Sequence, residues 1–201
     1  MAAICVFCAS GEAIDESYKE LAAAVGAGIA ARGHSLVSGG GRVSMMGRVA
    51  AAARAGGAHT LGVIPRALHD IEVGDDDADE LVVTDSMRQR KAVMDARSDA
   101  FLALPGGIGT LEELLEVWVA RSLGMHAKPV VVLDPDGTYA GLREQVEALT
   151  ARRFVRAEAA AAVAWVSDVE AAFDAIDRMW ADEPPEPSRE RAVEELLETE
   201  L

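Results

Sequence analysis

An α/β fold, with a mostly parallel sheet covered by helices on both faces, is what this sequence predicts. Three observations carry that expectation. Short, continuously apolar runs such as 100–104 and 129–133 suit strands buried on both sides. They alternate with segments whose apolar residues recur at helical spacing. Glycine and proline punctuate the junctions between them. A chain of 201 residues suits one domain with a continuous core. That domain is expected over 1–181, followed over 182–201 by a proline-containing linker and an acidic tail.

The elements follow in order. Residues 3–8 form an apolar first strand. A helix over 17–32 carries Tyr18, Leu21, Ala22, Val25 and Ile29 on one stripe, and Gly33 ends it as a left-handed cap. A strand at 34–37 closes on Ser38-Gly39-Gly40-Gly41, and a helix over 46–55 stops at Gly56-Gly57. A third strand, 61–64, is halted by Pro65. Asp75 to Asp77 belong to an acidic loop that reads as solvated and lacks calcium-loop spacing. A short strand at 81–83 and a helix over 87–97 precede the strand at 100–104. Pro105-Gly106-Gly107 then turns the chain into a helix over 110–123, with Leu111, Leu115 and Trp118 as its apolar stripe. A strand at 129–133, a helix over 140–152 and a strand at 163–166 come next. Ser167 and Glu170 read as a capping box opening the last helix, which runs to Trp180.

Composition narrows the function. Half of the residues are hydrophobic but only 4% are aromatic, so much of the apolar content is alanine and closely packed helices are expected. The net charge of -15 repels phosphate backbones and anionic lipid, which argues against nucleic-acid or membrane partners. An anionic small ligand must therefore meet a local positive site. No run approaches the roughly 20 apolar residues that span a bilayer, and no basic, cleavable leader is evident, so a cytoplasmic location is expected. Cys5 and Cys8 fall on a strand-like run, three residues apart and so on opposite faces. They read as structural thiols, and with scattered histidines they make no metal site.

Two segments carry candidate chemistry. In Leu104-Pro105-Gly106-Gly107-Ile108-Gly109-Thr110-Leu111-Glu112-Glu113, a strand hands over to a helix through three glycines. Backbone amides, the helix dipole and the Thr110 hydroxyl together suit a phosphate. The alternative is a plain turn with Thr110 and Glu113 as a capping box, and with Glu112, Glu113 and Glu116 on a solvated face. In Met87-Arg88-Gln89-Arg90-Lys91, the cations Arg90 and Lys91 flank the line from Met87 to Met94. Charges beside an apolar face need partners: a bound phosphate or ribose, or an internal salt bridge. The run after residue 37 is neither a dinucleotide fingerprint nor a P-loop, and reads as a glycine-rich wall for a nucleotide or as a simple turn.

These pieces together resemble the Lonely Guy (LOG) family of cytokinin-activating phosphoribohydrolases, over about residues 4–176. Its P-G-G-x-G-T-x-x-E hallmark is matched by Pro105 to Glu113, and its M-x-x-R-K by Met87, Arg90 and Lys91. Its Y-G-G-G-x-x-G-L-M-G corresponds to Ser38 through Gly47, departing at Ser38 and Ser44. Val119 stands where plant members carry threonine near the substrate, a difference that bears on the preferred base and its side chain.

The resemblance implies a Rossmann-like fold, at least a dimer, and hydrolysis of the N-glycosidic bond of an adenosine 5′-monophosphate, ideally N6-isoprenoid. No metal or cofactor is implied. The catalytic pair corresponds to Arg90 and Glu113, and nucleotide contacts to Arg90, Lys91, Gly106, Gly107, Gly109, Thr110 and Glu112, with Glu72 from the acidic loop. Ser10, Gly40, Gly41 and Met87 complete the expected substrate-binding set. Members have also been labelled lysine decarboxylases, but none of Lys19, Lys91 and Lys128 lies in a signature for a pyridoxal phosphate lysine. A carrier without turnover, or a general AMP nucleosidase, are the alternatives.

Overall fold

The computed structural model describes residues 1–69 and 74–182. The expected contact Glu72 and nearly all of the expected linker and tail lie outside these residues. Within them the chain forms β1 (Ala3–Phe7), α1 (Glu16–Ala31), β2 (Ser35–Ser38), α2 (Ser44–Ala55), β3 (Thr60–Pro65), α3 (Arg66–His69) and β4 (Glu80–Thr84). It continues through α4 (Met87–Ala96), β5 (Ala100–Ala103), α5 (Ile108–Ser122), β6 (Val130–Leu133), α6 (Ala140–Ala151), α7 (Ala157–Ala160), β7 (Ala164–Val166) and α8 (Val169–Asp182).

The strands make one sheet in the order β4-β3-β2-β1-β5-β6-β7. Every pairing is parallel, so the expected sheet is realised in full. From β1 the chain winds outward through β2, β3 and β4, then returns to lay β5 on the other side of β1. The direction of winding reverses between β1 and β5. Loops at the carboxyl ends of those strands diverge there and leave room for a ligand.

The core has two layers because β1 alternates. Ile4, Val6 and Cys8 pack with α1, α2 and α8 through Val25, Ile29, Met45, Val49, Phe173 and Ile176. Cys5 and Phe7 face the opposite layer, with Val93 and Met94 of α4 and Leu114, Val117 and Trp118 of α5. The two thiols thus lie on opposite sides of the sheet, as their spacing requires.

Three sequence expectations are corrected, and two short helices are added. Helix α5 begins at Ile108, and its inward side carries Thr110, Leu114, Val117 and Trp118, while Leu115 is exposed. Leu111 to Trp118 offers two overlapping stripes one residue apart, and packing selects the one centred on Leu114. Asp75 is buried rather than solvated, because Arg54 holds its carboxylate with two hydrogen bonds of 2.7 and 3.1 Å. The last helix is capped by Asp168, which accepts the Ala171 amide, while Glu170 turns away to pair with Arg32. The four-residue helices α3 and α7 are too short to show a periodicity in sequence.

Candidate active site

Three helices start beside the central strands, and their first turns differ. Helix α1 is capped by Asp15, whose side chain accepts the Ser17 amide. At the start of α2 the Ser44 amide donates to the Glu12 carboxylate at 2.8 Å. Helix α5 has Gly107 at its N-cap and no side-chain acceptor there. The amides opening α5 therefore keep their partial positive charge directed outward, where an anion is favoured. Gly107, Ile108 and Gly109 are exposed, and Thr110 is buried. Thr110 does not cap the helix; it packs on Gly106, where an added Cβ would lie 2.1 Å from the Thr110 Oγ1. The turn is held from below by Tyr139, whose hydroxyl donates to the Leu104 carbonyl at 2.8 Å. Nothing in the local sequence marks Tyr139 for this task.

Arg90, from the middle of α4, is only 8% exposed. Its Nε donates to the Val63 carbonyl of β3 at 3.1 Å, and its Nη1 donates to Glu113 Oε1 at 2.7 Å. The remaining nitrogen, Nη2, lies over Gly39, where a Cβ would approach to 2.1 Å. Gly39 is thus the glycine that admits the guanidinium. Gly40 and Gly41, the two expected contacts, are buried beside it. Gly40 has φ +73 and its carbonyl accepts the Asp75 amide, while Gly41 bridges to Gly74. Glu113, read as part of a capping box or a solvated face, has a side chain only 11% exposed, and Arg90 is its partner. Of the two readings of Arg90, the structure shows the internal salt bridge, and its partner is the other expected catalytic residue. Burial raises the Glu113 pKa above the ordinary carboxylate range, and Arg90 works against this.

The other expected residues surround this pair. Lys91 reaches Glu112 and Glu116 of α5. Met87 is exposed at the head of α4, and Ser10 is exposed on the loop after β1. A cleft of about 680 Å³ opens between α4 and α5, lined by Phe7, Lys91, Met94, Glu113 and Val119 among others. Its walls are mainly apolar, and Glu113 is among the charged side chains that line it.

Decarboxylation through a pyridoxal imine needs a lysine whose amine loses its proton readily. Lys91 fails that requirement: burial alone would lower its pKa, yet Glu112 and Glu116 outweigh it and the net shift is upward. Lys19 is paired with Glu12 and Glu16, and Lys128 is buried against Asp95. No helix among the described residues is long and apolar enough to cross a membrane.

Comparison with known proteins identifies the family. The family model described as "Possible lysine decarboxylase" matches residues 46–176, which include Arg90 and Glu113. A cytokinin riboside 5′-monophosphate phosphoribohydrolase of Mycobacterium marinum is 55% identical over 152 residues, 76% of this chain and 81% of that protein. Its Mycobacterium tuberculosis counterpart is 49% identical over 172 residues, 86% of this chain and 91% of that protein. Among solved structures, the molybdenum cofactor carrier protein of Chlamydomonas reinhardtii superposes with a TM-score of 0.67. It covers 90% of this chain and 98% of its own at 23% identity, which speaks for the shared fold alone. With its parallel sheet, its Arg90–Glu113 pair and this degree of identity, the chain belongs to the LOG family of phosphoribohydrolases, within the group described as possible lysine decarboxylases.

Proposed function

We propose that the protein hydrolyses the N-glycosidic bond of an adenosine 5′-monophosphate, preferably one with an N6-isoprenoid group, releasing free base and ribose 5-phosphate. The observation that carries this reading is the Arg90–Glu113 pair, 2.7 Å apart and nearly buried, with Glu113 on the helix whose start has no side-chain cap. The α5 start, with Gly107, Gly109 and Thr110, takes the phosphate. Gly106, Glu112, Lys91, Met87 and Ser10 complete the contacts with the nucleotide. The apolar cleft between α4 and α5 suits a base with a hydrophobic substituent, and Val119 on its wall favours an aliphatic one.

Breaking the bond between C1′ and the base nitrogen builds positive charge on the ribose, as in glycoside hydrolysis. Ionised Glu113 stabilises that charge and accepts a hydrogen bond from the attacking water. The water's hydroxyl ends on C1′ and its proton ends on the departing base. Arg90 keeps Glu113 oriented and holds the ribose phosphate so that C1′ faces the carboxylate. A carrier would need the phosphate turn but not a carboxylate paired with a guanidinium.

The same reading takes the protein as a cytoplasmic homodimer, with exposed Leu123, just after α5, in the self-association surface. The activity is tested by incubation with AMP and with N6-isopentenyl-AMP. Free base and ribose 5-phosphate are expected from the isopentenyl nucleotide first, and no base from either overturns the reading.

A further inference from the structure

We infer that Ser44 is a positioning residue that latches the loop after β1 to the glycine-rich loop after β2. The inference rests on the phosphoribohydrolase reading only in what the latch is for, not in whether it exists.

Ser44 has φ +50, one of two positive values at non-glycine positions among the described residues. That conformation disfavours any residue with a Cβ, so it persists only where surrounding contacts over-determine it. Ser44 is 6% exposed, and its contacts supply that determination. Its hydroxyl donates to the Gly11 carbonyl at 2.6 Å, and its amide donates to the Glu12 carboxylate at 2.8 Å. Both partners belong to the loop after β1, next to the expected substrate contact Ser10. Glu12 is held in turn by Lys19 at 3.4 Å. Hydrogen bonding to the Ser44 amide is the leading reason that the Glu12 pKa is lowered.

The segment from Gly39 to Ser44 is therefore fixed at both ends by different neighbours. At one end the Gly40 carbonyl accepts the Asp75 amide, and Gly39 makes the floor under Arg90. At the other end Ser44 grips Gly11 and Glu12. Glycine at position 44 would satisfy the backbone without strain, but it has no hydroxyl for Gly11. The serine accepts an unfavourable conformation and gains a bond between two loops at the reaction edge. The Glu12 bond also places a carboxylate on the α2 start, which leaves the α5 start as the position for a nucleotide phosphate.

Ser44→Gly separates this role from a plain structural one, because it relieves the strained conformation while deleting the hydroxyl bond. The variant is expected to fold with a melting temperature near that of the parent. Amide hydrogen exchange over residues 9–13 should rise by about fivefold, matching one lost hydrogen bond. KM for N6-isopentenyl-AMP should rise by about fivefold while kcat changes less than about twofold. Ser44→Ala keeps the strain and loses the same bond, so it should show the same KM with a lower melting temperature. Unchanged exchange at 9–13 in Ser44→Gly overturns the latch, whatever the parent's activity. Faster exchange with an unchanged KM overturns its role in substrate positioning. Absence of base release by the parent overturns the activity reading instead, and the exchange result still decides whether the latch exists.

Discussion

Two glycine-rich turns lie at the carboxyl edge of this sheet, and they are built for different tasks. The turn after β2 is tied down throughout: Gly40 to Asp75, Gly41 to Gly74, and Ser44 to Gly11 and Glu12. Its glycines admit neighbouring protein groups, Arg90 among them. The turn after β5 is anchored at its base by Tyr139 but exposes Gly107, Ile108 and Gly109 beyond that point. Added Cβ atoms at Gly107 and Gly109 would meet nothing within 4 Å. Glycine content alone therefore does not distinguish a ligand turn from a packing turn. What distinguishes them is whether the helix start that follows already holds a carboxylate.

The largest expected effect comes from the helix of the second turn. Glu113→Gln should lower turnover by about a thousandfold while AMP binding measured by calorimetry survives. Near-parent turnover would remove Glu113 from the chemistry. In the parent, the reacting form of Glu113 is the anion, and burial raises its pKa. Turnover should therefore fall on acidification at a pH above the ordinary glutamate range. A pH–rate profile that stays flat until the ordinary glutamate range would contradict the role.

The first turn is tested by Gly39→Ala. Its Cβ would stand 2.1 Å from Arg90 Nη2, so the guanidinium must shift. A displacement of that size should cost about 30-fold in kcat/KM for N6-isopentenyl-AMP. No loss would mean that Arg90 need not be held where Gly39 admits it.

The smallest and sharpest test exchanges the character of the two helix starts. Gly107→Asp meets no steric obstacle and supplies the cap that α5 lacks. It should stabilise the fold by about 0.5 kcal/mol in thermal unfolding, yet weaken AMP binding about tenfold with little effect on adenosine. Val43→Asp, at the equivalent position of α2, should leave AMP affinity within about twofold, since Glu12 already occupies that helix start. Equal losses from both substitutions would erase the distinction between the turns.

The sheet was legible in sequence because its strands are continuous apolar runs bounded by turn residues, as in Val130–Leu133. The pairing of Arg90 with Glu113 was legible only through the joint motif pattern. From spacing alone, Glu113 reads as part of a polar face, because its guanidinium partner comes from a helix 23 residues earlier. Asp75 failed for the same reason, its neutralising Arg54 being 21 residues away. The three consecutive glycines carry no local mark of which one admits Arg90. Tyr139 is likewise silent, since a buried tyrosine at a helix start announces no destination for its hydroxyl. Local periodicity reports which side of an element is apolar, whereas these features depend on what another element brings to it.

The split location of Cys5 and Cys8 has a practical consequence. Burial raises both thiol pKa values and leaves each thiol in a separate layer of the core. A thiol-alkylating reagent therefore acts as a two-channel clock of breathing motions. Modification of Cys8 times the loosening of the layer built by α1, α2 and α8, and modification of Cys5 times that of the layer containing α4 and α5. The ratio of the two rates, read by fragmentation mass spectrometry that resolves position 5 from position 8, reports which side of the molecule opens first.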